Sequence, residues 1–181
     1  MFELDIARLE AHDERPNFDC GDSDLNEYFT QDSRQGCLEL LAVTYAVYKG
    51  DDMVAFFSVS NDSLKKEVVG NGPFRRLTRF LPHGKRYSSQ PAVKIGRFAV
   101  AREWQRSGVG GRLLDYLKDW FTDGNKTGCR YIIVDAYKDA VPFYAKNGFD
   151  MLSDRDSDHD TRLMYFDLIT VARFPGMADA N

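Results

Sequence analysis

The chain has 181 residues, 43% of them hydrophobic, enough to bury one sizeable core. Its 24 Lys and Arg against 28 Asp and Glu give a net charge of -4, which argues against the strongly basic surface of a dedicated nucleic-acid binder and leaves only local basic patches. Cys20, Cys37 and Cys129 are odd in number and far apart, without the paired spacing of a zinc or redox site, so no metal site is expected and the free thiols point to a reducing cytoplasm.

The acidic start Met1-Phe2-Glu3-Leu4-Asp5 lacks the basic n-region and apolar run of a signal peptide. No stretch approaches the roughly 20 apolar residues of a membrane-spanning helix. A short strand is expected around Met1 to Leu9. At Cys20-Gly21-Asp22-Ser23 a capped helix begins: Asp22 or Ser23 accepts hydrogen bonds from the first turn, and Leu25, Tyr28 and Phe29 share one face. Two runs rich in β-branched and aromatic residues, Leu40 to Tyr48 and Met53 to Ser60, flank Lys49-Gly50-Asp51-Asp52 and predict a hairpin. From Asn61 to Pro91 the pattern loosens into polar and basic residues. We read it as a solvated excursion with a short helix, the alternative being a wall of an acceptor site or a contact for an anionic partner.

Order returns with an extended segment, Ala92 to Val100. A glycine loop follows, and then a helix from Arg112 to Thr122 with Leu113, Leu117, Trp120 and Phe121 as its apolar stripe. A strand at Tyr131 to Asp135, a short helix at Ala140 to Asn147 ended by Gly148 as a left-handed cap, a final strand at Thr161 to Ile169 and a polar tail complete the chain. The whole is read as one domain, residues 1–181.

The glycine loop carries the chemistry. Gly108, Gly110 and Gly111 ahead of a helix let the backbone approach a ligand closely and leave N–H groups unpaired at the positive end of the helix dipole, the makings of a pyrophosphate cradle. A nucleotide P-loop would need Lys-Ser/Thr after its last glycine, and Arg112-Leu113 stands there instead. The dinucleotide fingerprint would need a third glycine at 113, which is Leu.

What fits is Q-x-x-G-x-G, Gln105 to Gly110, directly after a strand. With it the stretch Lys94 to Phe149 resembles the GNAT acetyltransferase superfamily. The resemblance implies an α/β (α+β) fold with a mixed, mostly antiparallel central sheet flanked by helices, and acetyl-CoA as acyl donor. It implies that the backbone of Phe98, Ala99 and Val100 lies beside the pantetheine and thioester. Gln105, Arg106, Ser107, Gly108, Val109, Gly110 and Gly111 would wrap the pyrophosphate. Downstream, Ala140 with Phe143-Tyr144 and Gly148-Phe149 is similar to the family's A-x-x-F-Y-x-x-x-G-F segment. By that similarity Tyr144 is the general acid that protonates the departing thiolate, Phe143 packs or walls the cofactor, and a backbone N–H near Val100 stabilises the oxyanion. Tyr137 stands where many members carry an Asn that touches the pantetheine. Asp135 is the carboxylate weighed as general base, against a capping or ion-pairing role.

Phe18-Asp19-Cys20-Gly21, with Leu25-Asn26-Glu27-Tyr28-Phe29 and Gly96-Arg97-Phe98-Ala99-Val100, is similar to a bacterial branch that includes toxins acetylating aminoacyl-tRNA. That makes Arg75, Arg76, Arg79, Lys85, Arg86 and Arg97 candidates for phosphate contact. The acidic total favours a small-molecule or protein amine as acceptor instead. A non-catalytic acyl-CoA-binding protein is the alternative from another class, and a homodimer is a further possibility.

Overall fold

The computed structural model describes residues 4–79, 81, 83, 87–125 and 127–172. Lys85, Arg86, the first three residues of the expected opening strand and the tail beyond residue 172 lie outside the described residues. The strands are β1 (Asp5–Leu9), β2 (Val43–Lys49), β3 (Asp52–Lys65), β4 (Ser89–Val100), β5 (Tyr131–Tyr137), β6 (Asp150–Met151) and β7 (Thr161–Asp167). They form a seven-stranded sheet in the order β1-β2-β3-β4-β5-β7-β6. The helices are α1 (Ser23–Glu27), α2 (Ser33–Leu38), α3 (Lys66–Val69), α4 (Asn71–Thr78), α5 (Val109–Thr122) and α6 (Val141–Lys146). This is the mixed, mostly antiparallel sheet flanked by helices that the sequence led us to expect. Among the described residues no helix is long and apolar enough to cross a membrane.

The chain divides into two compact units: the described part of Met1–Asn61 with Lys94–Leu113, and Asp62–Val93 with the described part of Leu114–Asn181. In the first, β1 and β2 run antiparallel with Leu9 opposite Thr44. The hairpin of β2 and β3 closes between Lys49 and Asp52, with Gly50 at φ +59° taking the left-handed turn position where a Cβ would be strained. Asp22 is the helix cap, its Oδ1 accepting from the Leu25 N–H at 3.0 Å. A π-helical stretch, Tyr28–Asp32, joins α1 to α2. Phe29, fully buried, packs on Phe56 with ring centroids 4.8 Å apart, and Phe18 meets Phe56 edge-on at 5.1 Å. These rings, with Leu9, Cys20, Ala46 and Ala99, make one hydrophobic core cluster of this unit.

In the second unit β7 pairs antiparallel with β5, Tyr165 opposite Ile133, and with β6. The stretch after Asn61 is more regular than its polar composition suggested. β3 continues to Lys65, and α3 and α4 follow, separated by Gly70 at φ +86°. Apolar spacing explains why: Leu64, Val69, Phe74 and Leu77 are all buried and join Ala92, Tyr131, Ile133 and Leu152 in one core, while Arg75 and Arg76 stay exposed on α4. The hydroxyl of Tyr131, which is wholly buried, donates to the Leu77 carbonyl at 3.0 Å near the end of α4. That satisfies an acceptor the helix leaves open. Beside it the Arg130 guanidinium grips Asp167 with two bonds, of 3.0 and 2.9 Å.

Candidate active site

The glycine loop belongs to the first unit and is built between the end of β4 and the start of α5. Ala101 N–H donates to the Val54 carbonyl at 2.8 Å and Arg102 N–H to the Asp19 carbonyl at 2.9 Å, pinning the chain as it leaves β4. A single turn, Arg102–Trp104, comes next. Lys49 lies 4.4 Å over the Trp104 ring. The Ser107 hydroxyl and N–H both donate to the Trp104 carbonyl, and the Arg112 N–H closes the first helical turn on the Gly108 carbonyl at 3.2 Å. Val109 is buried and anchors the loop to the core; Gln105, Arg106, Ser107 and Gly108 are exposed.

Two residues of the loop hold left-handed backbone, Arg106 at φ +61° and Gly108 at φ +90°. The second is a glycine for good reason. The first is not a glycine, and such a conformation costs an L-residue about 1–2 kcal/mol. A Cβ on Gly108 would meet nothing within 4 Å, so the space before it is open. The first N–H groups of α5, from Val109, Gly110 and Gly111, have no acceptor within the helix. Open space, N–H groups without an acceptor in the helix, the positive end of a helix and the exposed Arg106 together suit a diphosphate.

Phe98, Ala99 and Val100 form the last residues of β4, with Ala99 buried and its neighbours half-buried. The side chain of Gln105 does not point its amide outward as a ligand group. Its Nε2 donates to the Cys20 carbonyl at 2.8 Å and to the Val100 carbonyl at 3.1 Å. Both amide hydrogens are thereby used, and the side chain acts as a brace between the end of β4 and a turn 85 residues earlier in the chain.

Tyr144 and Phe143 belong to the second unit, on α6, with Pro142 in the first turn, where its missing N–H costs nothing. Phe149 N–H donates to the Tyr144 carbonyl at 3.0 Å, and Gly148 at φ +82° turns the chain out of the helix, as its sequence position implied. Tyr144 is 5% exposed. Its ring lies edge-on to Phe143 at 5.1 Å and to Phe149 at 5.4 Å. Burial holds its phenol well above the ordinary tyrosine value, because the phenolate would lose its hydration.

One residue that positions this helix escaped the sequence reading. Lys118 of α5 is buried, and its ammonium donates to the Asn147 carbonyl at the end of α6 and to Asp115, both at 2.9 Å, while lying 4.7 Å over the Phe166 ring. A cation there complements the negative end of α6. The signal was present: Lys118 sits among Leu114, Leu117 and Phe121, all buried, and a lysine on an apolar face must find partners. Asp135 is exposed on β5, and Tyr137 is 59% exposed at its end. Arg75, Arg76 and Arg79 are exposed along α4 and just beyond it, spaced to share one side; Arg76 also donates to the Leu152 carbonyl at 3.3 Å. Arg97 is exposed in the first unit, over the Tyr28 ring at 4.9 Å.

Residues 44–151 match the family model described as an acetyltransferase (GNAT) domain. Over 63 residues the chain is 35% identical to the uncharacterized N-acetyltransferase YjcF of Bacillus subtilis, a match that spans 35% of this chain and 43% of that relative. The fold is shared with AtaT complexed with acetyl-methionyl-tRNAfMet, at a TM-score of 0.75 and 18% identity, covering 93% of this chain and 97% of that one. It is shared also with AtaTR bound with AcCoA, at a TM-score of 0.73 and 20% identity, covering 94% and 97%.

Proposed function

The chain belongs to the GNAT acetyltransferase family, and from that premise we propose that it moves an acetyl group from acetyl-CoA to a primary amine, with Tyr144 as general acid. Residues 44–151 take in segments of both compact units, which supports reading the chain as one acetyltransferase domain. The observation that carries the proposal is the loop before α5, where Gly108 at φ +90° opens onto free space, ahead of N–H groups that have no acceptor within the helix.

Acetyl-CoA supplies an acyl thioester, already activated toward an amine. In this reading the N–H groups of Val109, Gly110 and Gly111 and the guanidinium of Arg106 take up the negative charge of the pyrophosphate. The ends of Phe98, Ala99 and Val100 on β4 hold the pantetheine arm, and the Phe143 ring walls the cofactor. A thiolate is a poor leaving group in a dry site unless a proton reaches it. The Tyr144 phenol delivers that proton. Burial keeps the phenol in its protonated form across the physiological range.

A second reading concerns the acceptor. Arg75, Arg76 and Arg79 form a basic side of α4, and the fold is that of AtaT, which has been seen with an acetylated aminoacyl-tRNA. On that reading the amine is the one carried by charged tRNA, and the three arginines meet phosphates. The deciding experiment follows thiol release from acetyl-CoA against a panel of small amines, peptides and charged tRNA, beside a Tyr144→Phe control. Transfer to a small or peptide amine supports the first reading; acetylated charged tRNA, with growth arrest relieved by Tyr144→Phe, supports the second. Binding of acetyl-CoA with no transfer to any amine would overturn both and leave an acyl-CoA-binding protein.

A further inference from the structure

The motif Phe18-Asp19-Cys20-Gly21 with Asn26 is assigned no task by the reaction, yet the structure connects it to the acyl-donor loop. Asn26 works in both directions at once. Its Oδ1 accepts from the Cys20 N–H at 3.0 Å and from the Cys20 thiol at 3.2 Å, and its Nδ2 donates to Asp19 Oδ1 at 2.9 Å. Asp19 Oδ1 also accepts from the Gly21 N–H at 2.7 Å, closing a tight turn in which Gly21 sits at φ +87°. These bonds fix where the backbone carbonyls of Asp19 and Cys20 point. The Asp19 carbonyl receives the Arg102 N–H at 2.9 Å, and the Cys20 carbonyl receives the Gln105 amide at 2.8 Å. Both acceptors therefore serve the segment that leads into the glycine loop. A Cβ on Gly21 would lie 3.1 Å from the Arg102 guanidinium, so the two segments are also in close van der Waals register.

We propose that Asn26 is a positioning residue for acetyl-CoA binding, acting through the Cys20 carbonyl and Gln105 on the loop that cradles the pyrophosphate. The inference rests on the reading of that loop given above. Only an amide of this length accepts two bonds from Cys20 while donating to Asp19. Without it the turn loses its lock, the Cys20 carbonyl drifts, and Gln105 no longer ties residue 100 to residue 20. The cost falls on preorganisation of the loop, which the ligand must then restore from its own binding energy.

The test is calorimetric titration of the full-length protein with acetyl-CoA, for the unaltered chain, Asn26→Ala, Gln105→Ala and the double variant, with thermal unfolding measured on each. Asn26→Ala is expected to weaken acetyl-CoA binding roughly 3- to 10-fold, about one hydrogen bond's worth, and to raise KM for acetyl-CoA with kcat at saturation within about twofold. The double variant should bind no more than about twofold worse than the weaker single one, because both changes cut one chain of contacts. Asn26→Asp keeps the acceptor and removes the donor to Asp19, and is expected to shift binding in the same direction if the alanine variant does not fold. Binding within twofold of the unaltered protein in folded Asn26 variants, a loss carried by kcat alone, or effects that multiply in the double variant would each overturn the proposal. Failure of the unaltered protein to bind acetyl-CoA would instead sink the assignment of the loop itself, and this inference with it.

Discussion

At Tyr144 the same burial sets two measurable properties. A phenol at the bottom of an aromatic cluster, with Phe143 and Phe149 on its ring, holds its proton and so remains a donor. Removing only the oxygen should leave packing intact: Tyr144→Phe is expected to lower kcat by about 10²- to 10⁴-fold, with acetyl-CoA affinity and melting temperature close to those of the unaltered protein. A thiol-release assay beside a thermal melt separates the two. Arg106 gives a contrasting case. Its left-handed backbone, φ +61°, favours glycine, so Arg106→Gly should stabilise the fold or leave it unchanged within about 1 kcal/mol, while the lost guanidinium weakens acetyl-CoA binding. A variant that is both less stable and equally tight in binding would show that the side chain, not the cofactor, holds that conformation.

Among the elements, α6 depends on contacts at its far end. Lys118 binds the Asn147 carbonyl from a buried position on α5, and Gly148 holds a φ of +82° at which a side chain is strained, a Cβ there lying in tight contact 3.2 Å from the Phe166 ring. Lys118→Met keeps the length and removes the charge. It should cost about 1–3 kcal/mol, the price of an unmet carbonyl, measured by urea denaturation, and should lower kcat beyond what reduced folding explains, because α6 carries Tyr144. Helix α4 has a parallel dependence: Tyr131→Phe would strip the Leu77 carbonyl of its donor and should cost about 1 kcal/mol. The Gln105 loop was legible in the chain as a glycine pattern between strand and helix, because left-handed backbone and missing side chains are written residue by residue. Its brace was not. The partner carbonyl of Cys20 lies 85 residues away, and a backbone acceptor leaves no mark in side-chain spacing.

For the molecule as a whole, buried phenols are expected to make stability fall at alkaline pH. Burial pushes the Tyr131 hydroxyl up to about 12, and holds that of Tyr144 well above its ordinary value. A group raised in the folded state contributes stability that is complete below its unfolded value, about 10 for tyrosine, and is lost as pH rises through the folded value. Denaturation midpoints should therefore fall as the pH rises through the alkaline range, the Cys20 thiol, also raised by burial, contributing first and the phenols above about pH 10, and Tyr131→Phe should flatten the later part of that fall. By itself the sequence determined the order of strand, glycine loop and helix, a helix cap at Asp22 or Ser23, the hairpin at Gly50 and the Gly148 terminus. Each is encoded within a few residues, by backbone freedom or by a short apolar period. The sequence also placed Tyr144 in a recognisable segment. Only the tertiary structure decided that the polar stretch after Asn61 buries Leu64, Phe74 and Leu77, that Lys118 is an interior cation, and that Gln105 and Asn26 spend their amides on the turn at Cys20. Burial and hydrogen-bond partnership depend on chain segments far apart in sequence, and a pattern read along the chain does not contain them until the fold brings those segments together.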